Sequence, residues 1–211
     1  MNTKTINNPT SAVIIANGRY PHHPIPLSII ENALYIVCCD GAANNFIAKG
    51  GIPNSIVGDL DSISEENKLK YKDVLHHVSE QDSNDLTKSV QFCIHKGIND
   101  ITIVGGTGLR EDHTIGNISL LAEYIELIKV RMVTNWGIFT PINEYTEFSS
   151  FKGEKVSIFS IDNKPITTNG LKYSINDRVL TNWWQGTLNV SDQDFFTIKT
   201  RGRVIIFQAF N

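Results

Sequence analysis

Val57-Gly58-Asp59-Leu60-Asp61-Ser62 is a short apolar run that ends in two carboxylates one residue apart. If Ser55 to Gly58 is a buried strand, both aspartates arrive at the start of the loop that follows it. Open α/β sheets bind their ligands there, outside the carboxyl ends of the strands. Two hard anionic oxygens in such a place suit Mg²⁺, which takes carboxylate and phosphate oxygens and keeps several waters. An Asp-x-Asp alone is equally the chemistry of a turn or a helix N-cap, and Ser62 or Ser64 ahead of Glu65-Glu66 is placed to cap. The neighbouring segments decide between these readings.

Upstream, Ala12 to Ala16 reads as a fully buried strand that stops at the turn dipeptide Asn17-Gly18. A Pro- and His-rich loop leads to a short helix over Leu27 to Ala33. A second buried strand, Tyr35 to Cys39, then runs into Asp40-Gly41-Ala42-Ala43-Asn44. An acid at a strand end, followed by small residues and a helix over Asn44 to Lys49, lets backbone approach a ribose or phosphate. Asp40 could equally cap that helix.

Downstream, Glu65 to Lys72 has the polarity of a surface helix and Val74 to Val78 that of a strand. In Glu80-Gln81-Asp82-Ser83-Asn84-Asp85-Leu86-Thr87-Lys88-Ser89, the spacing of Leu86, Val90, Cys93 and Ile94 predicts a helix starting near Asp85. Its first turn presents Asp85 and Lys88 together, where phosphate is also favoured. The plainer reading is an i,i+3 ion pair on a solvated face. After the strand Ile101 to Val104 comes Gly105-Gly106-Thr107-Gly108-Leu109-Arg110-Glu111-Asp112-His113. It lacks the Gly-Lys-Ser/Thr of a P-loop, and Glu111 stands where a Gly-x-Gly-x-x-Gly would have its last glycine. Arg110 offers a planar fork for phosphate oxygens, and Asp112 and His113 open a helix striped by Ile115, Ile118, Leu121, Ile125 and Ile128. His113 and Asn117 lie one turn apart on another face. His22-His23 and His76-His77 read as loop or surface residues.

Strand–helix alternation thus recurs about five times, with acids or glycines at successive strand ends, which predicts a Rossmann-like parallel sheet with flanking helices. After Val130 to Thr134 the helical period disappears. Short β-type runs replace it, at Trp136 to Thr140, Thr146 to Phe148, Lys155 to Ile161, Leu171 to Ile175, Thr187 to Val190, Phe195 to Lys199 and Val204 to Ala209. The fold class expected is α/β over residues 1–134, followed by an all-β sandwich over residues 135–211. The second part holds Trp136, Trp183 and Trp184, read either as packing or as a flat wall for an aromatic ring.

The 211 residues, 41% hydrophobic, can bury one sizeable core or two small ones. A net charge of −3 without a basic run argues against nucleic acid or anionic membrane as partners. Cys38, Cys39 and Cys93 form no disulfide framework, which fits a cytoplasmic protein. Met1 to Pro9 is polar without a signal pattern, and no apolar stretch approaches the ~18 residues of a membrane span.

Cys39 to Asn44, Gly58 to Ser62, Gln81 to Lys88, Gly108 to Ile118 and Gly170-Leu171-Lys172-Tyr173 are similar, in order and spacing, to the motif series of the thiamine pyrophosphokinase family. The resemblance spans nearly the whole chain. It implies a transferase that moves the β,γ-diphosphate of ATP to the hydroxyl of thiamine, giving thiamine diphosphate and AMP. It also implies a homodimer, with thiamine between the α/β domain of one subunit and the β domain of the other. The family's metal-binding acids fall on Asp59, Asp61 and Asp85, its phosphate lysine on Lys88, and its Arg/Asp pair on Arg110 and Asp112. Asp40, Asn44, Gln81, Asp82, His113 and Asn117 fall in the expected nucleotide and substrate pocket. Two departures stand out: Asn84 where the family often has Thr, and Thr187-Leu188-Asn189-Val190 in place of a Ser-Asn-Glu-like run. They shift the expected thiamine contacts to Asn189, Tyr173 or a nearby Trp.

The chemistry of the residues agrees. Diphosphoryl transfer asks for in-line placement and neutralisation of the phosphate charge. Mg²⁺ on the acids, with Lys88 and Arg110, would supply the neutralisation, and Asp82 or Asp85 is expected to accept the hydroxyl proton. Two alternatives stay open, a diphosphokinase for another heteroaromatic alcohol of pterin type and a non-catalytic nucleotide or thiamine sensor. The intact acid set speaks against the sensor, because gathered like charges are costly.

Overall fold

The computed structural model describes residues 9–211. The polar stretch Met1 to Pro9 lies, up to Asn8, outside the described residues. The first half alternates as expected: β1 (Ser11–Ile15), α1 (Pro24–Glu31), β2 (Ile36–Cys39), α2 (Ala42–Ala48), β3 (Ser55–Gly58), α3 (Glu65–Lys70), β4 (Leu75–His77), α4 (Asp85–His95), β5 (Asp100–Val104), α5 (Glu111–Tyr124) and β6 (Lys129–Val133). The second half is β7 (Gly137–Ile142), β8 (Thr146–Ser149), β9 (Lys155–Ser160), β10 (Pro165–Asn169), β11 (Arg178–Val179), β12 (Asn189–Val190), β13 (Phe195–Lys199) and β14 (Val204–Ala209). Among the described residues no helix is long and apolar enough to cross a membrane.

A ten-stranded sheet in the order β12-β9-β14-β7-β6-β5-β1-β2-β3-β4 forms the backbone of the molecule. From β4 to β6 it is parallel, and from β6 to β12 antiparallel. The parallel strands read as continuous apolar runs because both faces are covered. Ile14, Val57, Ile101 and Ile103 pack on one side, and Val13, Ile15, Ile56 and Val104 on the other. Complete burial of such a side chain contributes about 1.5–3 kcal/mol relative to exposure. Cys38 and Cys39 fall on opposite faces, and the three cysteines are free and buried.

The chain moves outward from β1 through β2 and β3 to β4, then crosses back to place β5 on the other side of β1. That reversal makes the gap between β1 and β5 the topological switch point, where open α/β sheets form their ligand crevice. Loop contacts line it: Gly18 N–H donates to Gly105 O at 2.7 Å and Arg19 N–H to Thr107 O at 2.8 Å. A Cβ on Gly18 would lie 2.4 Å from Gly105 O, so only glycine permits this approach.

The sheet does not stop where the sequence texture changes. Thr134 Oγ donates to Gly137 O at 3.0 Å and accepts from the amides of Trp136 and Gly137, closing the turn that folds β7 back on β6. The antiparallel end of the same sheet is therefore one layer of the expected sandwich, and the four-stranded sheet β11-β10-β13-β8 is the other. Ile158, Ile166, Phe196, Ile198 and Ile206 fill the space between.

Local differences from the sequence expectation have identifiable causes. Helix α1 starts earlier, at Pro24, because proline suits the first helical position and His23 Nδ1 accepts from Ile25 N–H. Helix α3 stops at Lys70, and a 3₁₀ turn over Lys72–Val74 precedes β4. Of the expected stripe, Leu121 is buried and Ile118 packs on the core, whereas Ile115 is exposed and Ile125 and Ile128 lie beyond the end of α5, which also buries Ala122 and Tyr124. Leu171 to Ile175 is not a strand: Leu171 makes only an isolated bridge to Ser191, after Gly170 turns the backbone at φ 79°. Pro165–Asn169, which falls between the expected runs Lys155 to Ile161 and Leu171 to Ile175, is strand β10.

Candidate active site

Three segments of the parallel half converge at its carboxyl edge. Asp40, directly after β2, has φ 25° and is almost wholly buried. It does not cap α2, whose N-cap is Gly41. Its two oxygens accept from Ser62 N–H at 2.9 Å and Ile63 N–H at 3.1 Å, clamping the loop that follows β3. Gly58 makes room for this: a Cβ there would stand 2.8 Å from Asp40 Cβ and 3.0 Å from Asp85 Oδ1. Asn84 caps α4 by accepting from Thr87 N–H at 2.9 Å, which sets Asp85 at the first turn. Helix α3 is capped by Ser64, so Asp59 and Asp61 are not its cap.

Asp40, Asp59 and Asp85 offer carboxylate oxygens that all lie within 4.8 Å of one another. Asp61, expected among the metal acids, is not in this trio. Leu60 is left-handed at φ 65°, Asp61 gives its N–H to Asp59 Oδ1 at 3.2 Å, and its own side chain is exposed. Burial raises the pKa of Asp40, the two backbone donors oppose that rise, and the Asp59 charge adds to it. Asp85 is also raised, first by burial and then by the Asp59 charge, against the lowering pull of Lys88. Asp59 is lowered, chiefly by the Asp61 N–H. Lys88 is buried, and its Nζ lies 3.5 Å from Asp85 Oδ1. One ammonium faces three carboxylates, so the corner carries excess negative charge on hard oxygens, a donor set that fits Mg²⁺.

Beside the trio opens a cleft of about 400 Å³ between the loops after β1 and β5. Asn17, Gly18 and Asp85 line one side, and Gly106, Thr107, Arg110, His113 and Asn117 the other. Asn117 Nδ2 donates to Gly106 O at 2.8 Å, holding the glycine loop against α5. Arg110 and Asp112 form an exposed bidentate pair at the cleft mouth, and the guanidinium holds the Asp112 carboxyl down to about 2.

The remaining predicted residues take other stations. Gln81 stands near enough to Asp59 to help hold its carboxyl low. Asp82 is exposed in a loop organised by Glu80, which accepts from the amides of Asp82 and Ser83. Asn44 bolts the loop after β3, donating to Ser62 O and accepting from Ser64 N–H and Asn67 Nδ2. Tyr173 and Asn189 lie in the β half, away from this cleft. Asn189 is buried, and its amide is occupied by the backbone of Tyr173 and Val190. Thr107 and Thr114 line the cleft without having been singled out, and Asn17-Gly18 was read only as a turn. The signal for that turn was its place at a strand end, the same that marked Asp40 and Asp59.

A parallel sheet with an acidic, glycine-lined cleft at its switch point, continued into a β-sandwich, defines a two-part α/β protein. Residues 27–132 match the profile described as thiamin pyrophosphokinase, catalytic domain, and residues 137–207 the one described as thiamin pyrophosphokinase, substrate-binding domain. The chain belongs to the thiamin pyrophosphokinase family. Thiamine pyrophosphokinase of Bacillus subtilis is 31% identical over 160 residues, covering 72% of this chain and 74% of that protein. Thiamin pyrophosphokinase 1 of Caenorhabditis elegans is 34% identical over 105 residues, 46% of this chain and 43% of that protein. Two solved structures share the fold. Thiamine pyrophosphokinase from Bacillus subtilis has a TM-score of 0.80 at 22% identity, covering 95% of this chain and 99% of the other. Thiamin pyrophosphokinase from Candida albicans has a TM-score of 0.80 at 20% identity, covering 95% and 89%.

Proposed function

We propose that this chain transfers the β,γ-diphosphate of ATP to the hydroxyl of thiamine, releasing AMP and thiamine diphosphate. The observation that carries the reading is the carboxylate trio with Lys88 beside a glycine-lined cleft at the switch point. Mg²⁺, when bound by Asp59 and Asp85 with Asp40, would neutralise polyphosphate charge. Asp61 positions Asp59 through its N–H. Lys88 would add its positive charge from behind Asp85, and Arg110, aligned by Asp112 on the cleft lining, would meet phosphate oxygens. His113 and Asn117 shape the wall along α5.

Of the two acids considered for the hydroxyl proton, Asp85 lines the cleft, where a carboxylate oxygen not engaged by the metal would accept it, whereas Asp82 is on the exposed loop. Proton transfer to Asp85 lets the alcohol oxygen bond to the β-phosphorus. The bond from that phosphorus to the α–β bridging oxygen breaks, and its electron pair leaves with AMP.

The division of labour is proposed to fall at 134/135, with the ATP polyphosphate on the first part and the thiamine contacts of the second made across a homodimer. Trp184, Leu188 and Tyr173, all exposed in the β half, support an interface there. The test is one incubation with ATP, Mg²⁺ and thiamine, followed by separation of AMP, ADP and thiamine diphosphate. AMP and thiamine diphosphate in equal amounts, lost in an Asp59→Asn/Asp85→Asn variant, are the expected result. AMP formed only with another heteroaromatic alcohol overturns the acceptor, and tight ATP binding without AMP overturns the enzyme. Sedimentation as a monomer at assay concentration overturns the shared thiamine site.

A further inference from the structure

We infer that the cleft continues into a ring-binding chamber that takes the nucleobase of the phosphate donor, with Arg19 and Trp136 as its recognition residues. The inference rests on the reading of the cleft as a nucleotide polyphosphate site. Neither residue falls within the spans 27–132 and 137–207 matched by the family profiles.

A second cavity of about 430 Å³ shares Thr107 and Thr114 with the cleft, so the two spaces adjoin. The two spaces differ in chemistry. The first is lined by the acid and guanidinium groups that suit phosphates and cations, and the second by Ile118, Trp136, Phe139 and Phe207. Phe139 and Phe207 pack at 4.6 Å between centroids, forming a fixed apolar wall. Such an apolar chamber with a few polar groups at its rim is the usual form of a ring site.

The rim is held rigid. Asn135 Oδ1 accepts from His22 N–H at 2.8 Å and His23 N–H at 3.0 Å, which ties the β1–α1 loop to the β6–β7 turn. Thr134 Oγ accepts from Trp136 N–H at 3.0 Å and fixes the backbone that carries the indole. Trp136 itself is 76% exposed among the described residues, a flat aromatic face on a locked turn. Arg19 is anchored by its N–H to Thr107 O, and its aliphatic stem crosses Gly108, where an added Cβ would lie 3.0 Å from Arg19 Cβ.

Charge selects the occupant. The proposed reaction brings two ring systems to the site, a neutral nucleobase and an acceptor whose thiazolium carries a fixed positive charge. The chamber lining includes Arg19 and His22 and no carboxylate. A guanidinium repels a thiazolium, and it can donate to ring nitrogen and oxygen acceptors of a base or lie flat against it. The nucleobase therefore fits here, and the acceptor must reach the β-phosphorus from the opposite side of the cleft.

The experiment is calorimetric titration of the full chain with Mg·ATP and, separately, with Mg·tripolyphosphate, which keeps the phosphates and lacks the base. Trp136→Ala and Arg19→Leu are compared with the unaltered protein. Trp136→Ala is expected to weaken ATP about 5- to 150-fold, the range of losing one base–aromatic stack, and to leave tripolyphosphate unchanged. Arg19→Leu, which keeps the stem, is expected to weaken ATP selectively and to reduce discrimination between ATP and GTP. The KM for thiamine should not move in either. Unchanged ATP affinity, or equal losses for ATP and tripolyphosphate, overturns the chamber. A raised thiamine KM with ATP affinity intact assigns it to the acceptor ring and also overturns it. Failure of the unaltered protein to bind ATP overturns both the cleft reading and the chamber. ATP bound without transfer to thiamine counts against the proposed reaction and not against the chamber, which the ATP-to-tripolyphosphate comparison still decides.

Discussion

In the β-sandwich, Asp162 is gripped by Arg203 through its guanidinium and its backbone N–H, and that grip holds the carboxyl down to about 2. At the parallel edge of the same ten-stranded sheet, burial and a neighbouring like charge push Asp40 and Asp85 upward instead. The first acid has its counter-charge within the chain and is ionised more readily folded than unfolded. The second group has one buried ammonium for three carboxylates. A fold that satisfies Asp162 so completely and leaves Asp40, Asp59 and Asp85 in excess places the excess where a ligand must complete it. This is the usual trade of local stability for function at a site.

The comparison breaks first if the trio can be dismantled without consequence for turnover. Asp59→Asn or Asp85→Asn is expected to cut AMP formation by about 10²–10³-fold or more, the scale of losing one preorganised electrostatic group at a reacting centre. Thermal melting in chelator should stay level or rise, because a like charge has been removed. Asp61→Asn should cost less than either, since its carboxylate stands outside the trio. A collapse of melting temperature that parallels the lost activity would mean that the acids serve the fold.

Next in size is the response to metal and pH. A carboxylate raised in the folded state binds more protons folded than unfolded, so its contribution lowers stability as pH rises from the ordinary carboxylate range through the raised value. In chelator, Asp40 and Asp85 should therefore weaken the fold across that window. Mg²⁺ should flatten the slope and, at a hundredfold excess over its Kd, stabilise by about 2.7 kcal/mol. Denaturant titrations at several pH values, with and without Mg²⁺, read both. A chelator slope of opposite sign would remove the physical basis for a cation at this corner.

Lys88→Met sharpens the comparison from the other side. Removing the one ammonium beside Asp85 leaves partly buried carboxylates without a counter-charge, at a cost of about 2 kcal/mol after allowing for the partial exposure of Asp85. Added Mg²⁺ should recover much of that stability without restoring turnover. Recovery of both would make Lys88 a counter-ion only.

The parallel half was legible because Ile14-Ile15, Ile56-Val57 and Ile101 to Val104 are covered on both faces and read as unbroken apolar runs. Helix α4 was legible because Leu86, Val90 and Cys93 share one buried stripe. Strand β10 was not, since Pro165 and Asn169 carry turn chemistry and its pairing with β13 is settled by tertiary contact. The run of one sheet through both halves was hidden for a related reason: it depends on the Thr134 hydroxyl closing a turn that spacing does not encode. In the site, Asp59 and Asp85 stood out as acids at element ends. Grouping Asp40 with them requires its positive φ and the missing Cβ of Gly58, while the left-handed Leu60 leaves the Asp61 side chain exposed.

The smallest effect belongs to the satisfied acid. Asp162→Asn deletes one ion pair in which both side chains are about a third exposed, so its cost near neutral pH is about 1 kcal/mol. The folded pKa is lowered, so this contribution is present above the ordinary carboxylate value and fades as pH falls toward about 2. The unaltered protein and the variant should therefore converge in stability under acid, the reverse of the pH trend at the trio. Turnover and Mg²⁺ response should match the unaltered protein, because Asp162 shares no contact with the cleft. If Asp162→Asn instead changed the Mg²⁺ dependence, the two corners would be coupled through the β-strands between them, and the separation of a stabilising acid from a functional trio would have to be given up.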